Sequence, residues 1–210
     1  MNKKVNNKLV FVEGLWHTGK SQFINSVQQI KKSTDKVYIA DNLRDLGTVR
    51  HATYLLYPQV IKDKNHLYDR SPVTMKVLSD PKLGLYKDEF VNSGYWTQFY
   101  AEWIKSIGEL NYNIVFIYFR PFEKDSTSII KEDILNYLKN YNKPYLRINP
   151  NNLTIPDLFK IHTMFSNEIN SLYQTFRKKF EYYQVEYRDT NEAIDILRYE
   201  NFMPSLANSE

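Results

Sequence analysis

Eight consecutive residues, Gly14-Leu15-Trp16-His17-Thr18-Gly19-Lys20-Ser21, fit the pattern G-x-x-x-x-G-K-[ST] in full. The spacing has a chemical reason. Glycines at both ends let the backbone curl so that successive N–H groups can face a bound anion. A helix opening at the second glycine adds the positive end of its dipole. In such a loop Lys20 reaches the β- and γ-phosphates of a nucleoside triphosphate, and the Ser21 hydroxyl coordinates the accompanying Mg²⁺. At this chain's content of Gly, Lys, Ser and Thr, random order gives the pattern in roughly 0.2% of chains. Chance is a poor explanation.

Elements suited to hold such a loop surround it. Lys8 to Glu13 reads as a buried strand, and a helix is expected from about Gly19 to Lys32, with Phe23, Ile24, Val27 and Ile30 on one face. A second strand over Lys36 to Ala40 ends at Asp41. Residues 45–62 read as a helix that Pro58 kinks or ends. A third strand over Asn65 to Tyr68 stops at Asp69, and Pro72 marks a turn. After a variable stretch holding Pro81 and Gly84, a helix is expected over 87–109, then the clearest strand, Asn113 to Phe119. Helices over 123–140 and 156–182, a strand over Tyr183 to Tyr187 and a helix over 191–200 complete the order. Strands separated by helices imply an α/β fold, a parallel sheet covered on both faces. Ligands of such sheets sit beyond the C-terminal strand ends, where Gly14, Asp41, Asp69 and Arg120 fall.

The bulk numbers are consistent with one domain over residues 1–210. With 28 basic and 24 acidic side chains, the net charge of +4 agrees with anionic ligands without arguing for a nucleic-acid or membrane partner. No cysteine is present, which excludes disulfides, thiolate metal sites and a cysteine nucleophile. No secretory leader and no membrane-length apolar run is seen, and a cytoplasmic setting fits.

Phosphate loops serve several enzyme classes. A GTPase would carry D-x-x-G after its third strand, but Asp69-Arg70-Ser71-Pro72 lacks the glycine. Asn142-Lys143-Pro144-Tyr145 echoes N-K-x-D but lacks its aspartate, and no strand-end Asp is followed by the second acid of a Walker B motif. Phe11-Val12-Glu13-Gly14 leading into the loop, with Leu67-Tyr68-Asp69-Arg70-Ser71 after the third strand, resembles the deoxynucleoside kinase and thymidylate kinase superfamily. The resemblance covers residues 8–72 and extends by element order to about residue 120.

That resemblance implies a three-layer P-loop kinase fold around a mostly five-stranded parallel sheet. It also implies ATP and Mg²⁺ as phosphoryl donor and a nucleoside or nucleoside monophosphate as acceptor. Arg70 would then hold phosphate through its planar fork, and Asp69 would help hold Mg²⁺ or orient the acceptor. Asp41 sits where these kinases place a general base for the 5′-hydroxyl, and Arg44 where an arginine contacts acceptor phosphate. The chain also departs from the pattern. Trp16 and His17 stand where thymidylate kinases have an acidic residue; Trp16 is expected to pack and His17 to be solvated. The arginine-rich lid after the fourth strand is not recognisable, leaving Arg120 as candidate clamp.

For the acceptor, Trp96 and Gln98 offer a ring to stack a base and an amide to read its edge. Phe99, Tyr100 and Trp103 share the spacing of Trp96, and core or interface packing is the expected role of most of these rings. Arg50, Tyr54 and Gln59 are further candidates for pocket lining. The helix over 87–109 fits core or a homodimer interface. A kinase acting on a nucleotide within DNA or RNA, and a nucleotide-binding module without catalysis, are the competing readings.

Overall fold

The structure, a computed structural model, describes residues 7–31, 37–39, 65–83, 85, 95–123, 130–140 and 152–202, with side chains omitted at 31, 37–39, 95 and 96. Strands β1 (Lys8–Gly14), β2 (Val37–Ile39), β3 (Asn65–Asp69), β4 (Asn113–Phe119) and β5 (Phe180–Val185) form one sheet in the order β2-β3-β1-β4-β5. Every pairing is parallel. The described helices are α1 (Lys20–Lys31), α2 (Pro72–Leu78), α3 (Tyr95–Glu109), α4 (Glu132–Lys139), α5 (Ile155–Thr175) and α6 (Thr190–Tyr199).

The central strands are uncharged along most of their length because both of their faces are covered. Leu9 and Phe11 of β1 join Ile114, Phe116 and Tyr118 of β4 in a core shared with α2, α3, α4 and α5. The alternate residues, Val10 and Val12 with Val115, Ile117 and Phe119, pack against Phe23, Ile24 and Val27 of α1 and Ala193 and Leu197 of α6. Three layers result, with two cores separated by the pleat.

Three expectations need correction. Pro72 begins a helix instead of marking only a turn: Ser71 caps α2 by accepting from the Val73 N–H, and a proline at the first position loses no hydrogen bond. The helix expected over 156–182 ends at Thr175, and the last strand runs Phe180–Val185 instead of 183–187. There the Lys179 ammonium docks on the Ile107, Gly108 and Leu110 carbonyls at 2.7, 2.7 and 3.0 Å, fixing the turn by contacts remote in sequence. The helix expected over 123–140 is described only as Glu132–Lys139. The helix expected over 45–62 lies outside the described residues. Phe99, Tyr100 and Trp103 are buried, so this stripe of α3 is core. Among the described residues no helix is long and apolar enough to cross a membrane.

Candidate active site

The phosphate loop leaves β1 at Gly14, whose φ of 139° suits glycine alone. A Cβ there would lie 2.5 Å from the Phe119 carbonyl oxygen on the neighbouring strand. Gly19, at φ 105°, closes the loop where a Cβ would lie 2.8 Å from the Arg188 Cα. Between them the Thr18 hydroxyl donates to the Leu15 carbonyl at 2.9 Å. Lys20 opens α1 and is 5% exposed. Its ammonium folds back over the loop, donating to the Leu15 carbonyl and lying 3.3 Å from the Thr18 hydroxyl. Trp16 is half-buried against the core, as expected, and Ser21 is exposed in the first turn of α1.

The next strand end meets the same loop. Asp69 pairs in register with Val12 and is 5% exposed; it shares the sheet face of Leu67, toward α1. Arg70 follows in a left-handed conformation, φ 81°, its N–H bonded to the Val12 carbonyl at 2.9 Å. Its guanidinium donates to the Gly14 carbonyl at 3.2 Å and to the Thr74 hydroxyl at 3.3 Å, which brings it to the mouth of the loop. Beneath lies Glu13, fully buried, whose carboxylate accepts from the Ser71 N–H, the Ser71 hydroxyl and the Thr74 hydroxyl, each at 2.6 Å. Burial pushes the Glu13 carboxyl up, against the opposing pull of Arg70 and these donors.

His17 is exposed, as expected, but it also has partners that the sequence did not indicate. Its ring stacks on Tyr137 of α4 at 4.8 Å between centroids. Its Nε2 accepts from the Arg188 guanidinium and lies 3.7 Å from the Asp133 carboxylate. Burial and then the Arg188 charge lower its pKa, which suits a neutral ring accepting from a cation. Arg188 also donates its backbone N–H to the Thr18 carbonyl at 3.1 Å and its guanidinium to Asp133 at 3.2 Å. Asp133 further accepts from the Tyr187 hydroxyl. The outside of the loop is thus tied to α4 and to the turn between β5 and α6. Neither Arg188 nor Asp133 was singled out from sequence. The signal for Arg188 was its place just past the last strand, the criterion that selected Asp41, Asp69 and Arg120.

No family model and no curated protein matches the sequence. Among solved structures, the thymidylate kinase from Candida albicans superposes with a TM-score of 0.55 over 94% of this chain and 93% of that one, at 11% identity. The chain shares the fold of that thymidylate kinase. The deoxyadenosine kinase from M. mycoides, solved with bound dATP, also aligns, at a TM-score of 0.47 and 13% identity over 93% of this chain and 100% of that one.

Within this kinase fold the remaining candidates separate clearly. Arg120 leaves β4 on the α5 side of the sheet, 5.6 Å from the Phe122 ring centroid and 3.9 Å from Glu186. Beside it the Tyr118 hydroxyl pairs with His162 Nδ1 at 2.7 Å. Gln98 is exposed and gives its amide to Glu102 at 3.0 Å along the same helix. Asp41, Arg44, Arg50, Tyr54 and Gln59 lie outside the described residues, as does the Trp96 side chain. Among the described residues no three His, Asp or Glu side chains gather as a protein-built metal cage. Mg²⁺ requires none, because it takes one or two protein oxygens and keeps waters and phosphate oxygens. The Ser21 hydroxyl and the buried Asp69 carboxylate fit that role.

Proposed function

We propose that this chain is a small kinase that moves the γ-phosphoryl group of ATP to a nucleoside or a nucleoside monophosphate. One observation carries the reading: a complete phosphate loop with the Arg70 guanidinium held at its mouth, bonded to Gly14. The ATP polyphosphate would lie in the loop and take the Lys20 ammonium from its contact with the Leu15 carbonyl. Charge spreads over the phosphoryl oxygens in the transition state, and a fixed guanidinium stabilises it more than it stabilises bound ATP. The acceptor oxygen bonds to the γ-phosphorus, the bond to the bridging oxygen breaks, and ADP leaves. The hydroxyl proton of a nucleoside acceptor passes to Asp41, which needs to accept it only late. Ser21 and Asp69 would hold Mg²⁺, which would supply charge neutralisation at the phosphates.

The test is a screen of nucleosides, monophosphates and short oligonucleotides with labelled ATP, with Lys20→Ala alongside. Labelled nucleoside or monophosphate products that vanish in Lys20→Ala are expected. Label on oligonucleotides alone would move the acceptor into a polynucleotide. ATP binding with no labelled product would leave a binding module, and equal turnover by Lys20→Ala would remove the loop from the chemistry.

A further inference from the structure

Glu13 is the last side chain before the phosphate loop, is fully buried, and touches neither the polyphosphate nor any acceptor in the mechanism above. Its two oxygens hold the turn that carries Arg70. Oε1 takes both the N–H and the hydroxyl of Ser71 at 2.6 Å, and Oε2 takes the Thr74 hydroxyl at 2.6 Å. Thr74 in turn accepts from Arg70, which also donates to the carbonyl of Gly14, the residue next to Glu13. The bonds close a ring that begins and ends at the entry to the loop. A hydroxyl that donates to a carboxylate becomes a better acceptor, so the Arg70–Thr74 bond is strengthened by Glu13.

A plain helix cap does not account for this arrangement. Ser71 caps α2 through its own hydroxyl to the Val73 N–H, a bond its contact with Glu13 also strengthens. A cap does not call for the second branch from Glu13 through Thr74 to Arg70. Three donors converging in a buried space require a group that only accepts, and an ionised carboxylate is such a group. Arg70 sits at φ 81°, a backbone state that persists when its surroundings over-determine it.

We infer that Glu13 is a positioning residue for Arg70, acting through Ser71 and Thr74 to hold the guanidinium at the mouth of the phosphate loop. The inference rests on the kinase reading for its consequence, and its geometry can be read independently of activity.

The experiment compares full-length Glu13→Gln, Thr74→Val and Thr74→Ser with the wild type. Glutamine keeps the shape but turns a donor toward Thr74, so the Thr74 hydroxyl must reverse and give up its lone pair. We expect kcat in Glu13→Gln and Thr74→Val to fall about 10–100-fold, with ATP affinity, measured by calorimetry, within about twofold of wild type. Thr74→Ser should restore kcat to within about threefold, and the double variant Glu13→Gln/Thr74→Val should lose little beyond either single change. In ¹⁵N-arginine-labelled protein, the Arg70 guanidinium resonance, assigned through Arg70→Lys, should show hindered rotation in the wild type and averaging in Glu13→Gln. An unchanged Arg70 resonance overturns the proposal. So does an ATP affinity that falls in step with kcat. A wild type without turnover would sink the kinase reading while leaving the Arg70 resonance to decide the role of Glu13.

Discussion

Arg70 holds a guanidinium against the Gly14 carbonyl, at the mouth of the loop, on a backbone that arginine does not favour. At φ 81° the left-handed backbone costs a non-glycine residue about 1 kcal/mol or more. Part of the fork is spent on Gly14 and Thr74, and the rest is free to meet a phosphate in two-point contact. Two substitutions separate these roles. In Arg70→Gly the backbone relaxes while both hydrogen bonds are lost, so stability in urea should stay within about 1 kcal/mol of wild type. Phosphoryl transfer should fall about 100-fold or more, because nothing replaces the charge at the transferring group. Arg70→Lys should recover little, since one ammonium cannot bridge a carbonyl and a hydroxyl while still presenting a fork. Equal losses of stability and transfer in Arg70→Gly would make the residue a structural one.

The loop and α1 are held as an element by close backbone approach, and glycine is the price of it at two points. Gly19→Ala would push a Cβ to 2.8 Å from the Arg188 Cα at φ 105°, where neither side can yield without moving the turn after β5. A loss of about 1–3 kcal/mol in urea unfolding is expected, with weaker ATP binding. Gly108 makes the control. It lies in α3, where among the described residues a Cβ would meet only the Phe176 ring, at 3.3 Å, and Gly108→Ala should change stability by less than about 1 kcal/mol. Comparable losses in the two variants would show that the Arg188 approach is not tight. The elements readable from sequence were those with internal reasons for their state. β1 and β4 are apolar runs that suit a doubly covered strand, and the loop motif carries its own spacing. The end of α5 was not readable, because Arg177 to Tyr182 mixes charge and apolar residues compatible with either period. Its state is decided by Lys179 on the carbonyls ending α3 and by Phe180 stacked on Phe116 at 5.0 Å. At the site the same division holds: Lys20 and Arg70 were legible, whereas the ties of Asp133 and Arg188 to His17 join segments more than a hundred residues apart.

Across the whole molecule, strand alternation divides the work between two faces. Asp69 faces the α1 layer, whose first turn carries Lys20 and Ser21, while Glu13, Tyr118 and Arg120 belong to the face covered by α2 and α5. That second face carries groups whose protonation is set by folding. His162 on α5 is enclosed by Tyr118, Phe122 and Phe159, with Arg120 near. Burial first and the Arg120 charge second bring its pKa from 6.5 down to about 4. The unfolded chain therefore takes up a proton near pH 6.5, and the native protein only near pH 4. Between those values the unfolded state binds more protons, so stability present above pH 6.5 is lost as pH falls toward 4. Glu13 acts in the opposite sense: its raised pKa means that the native state takes up its proton at a higher pH than the unfolded chain, so protonating it favours folding. With part of the His162 ring still hydrated, its contribution is about 1–2 kcal/mol. His162→Gln can still pair with the Tyr118 hydroxyl but has no proton to gain. Urea midpoints measured from pH 7 to pH 4 should fall less steeply in His162→Gln than in the wild type, whatever the difference at pH 7. Parallel slopes would show that His162 is protonated alike in the folded and unfolded chain, and that acid sensitivity arises elsewhere.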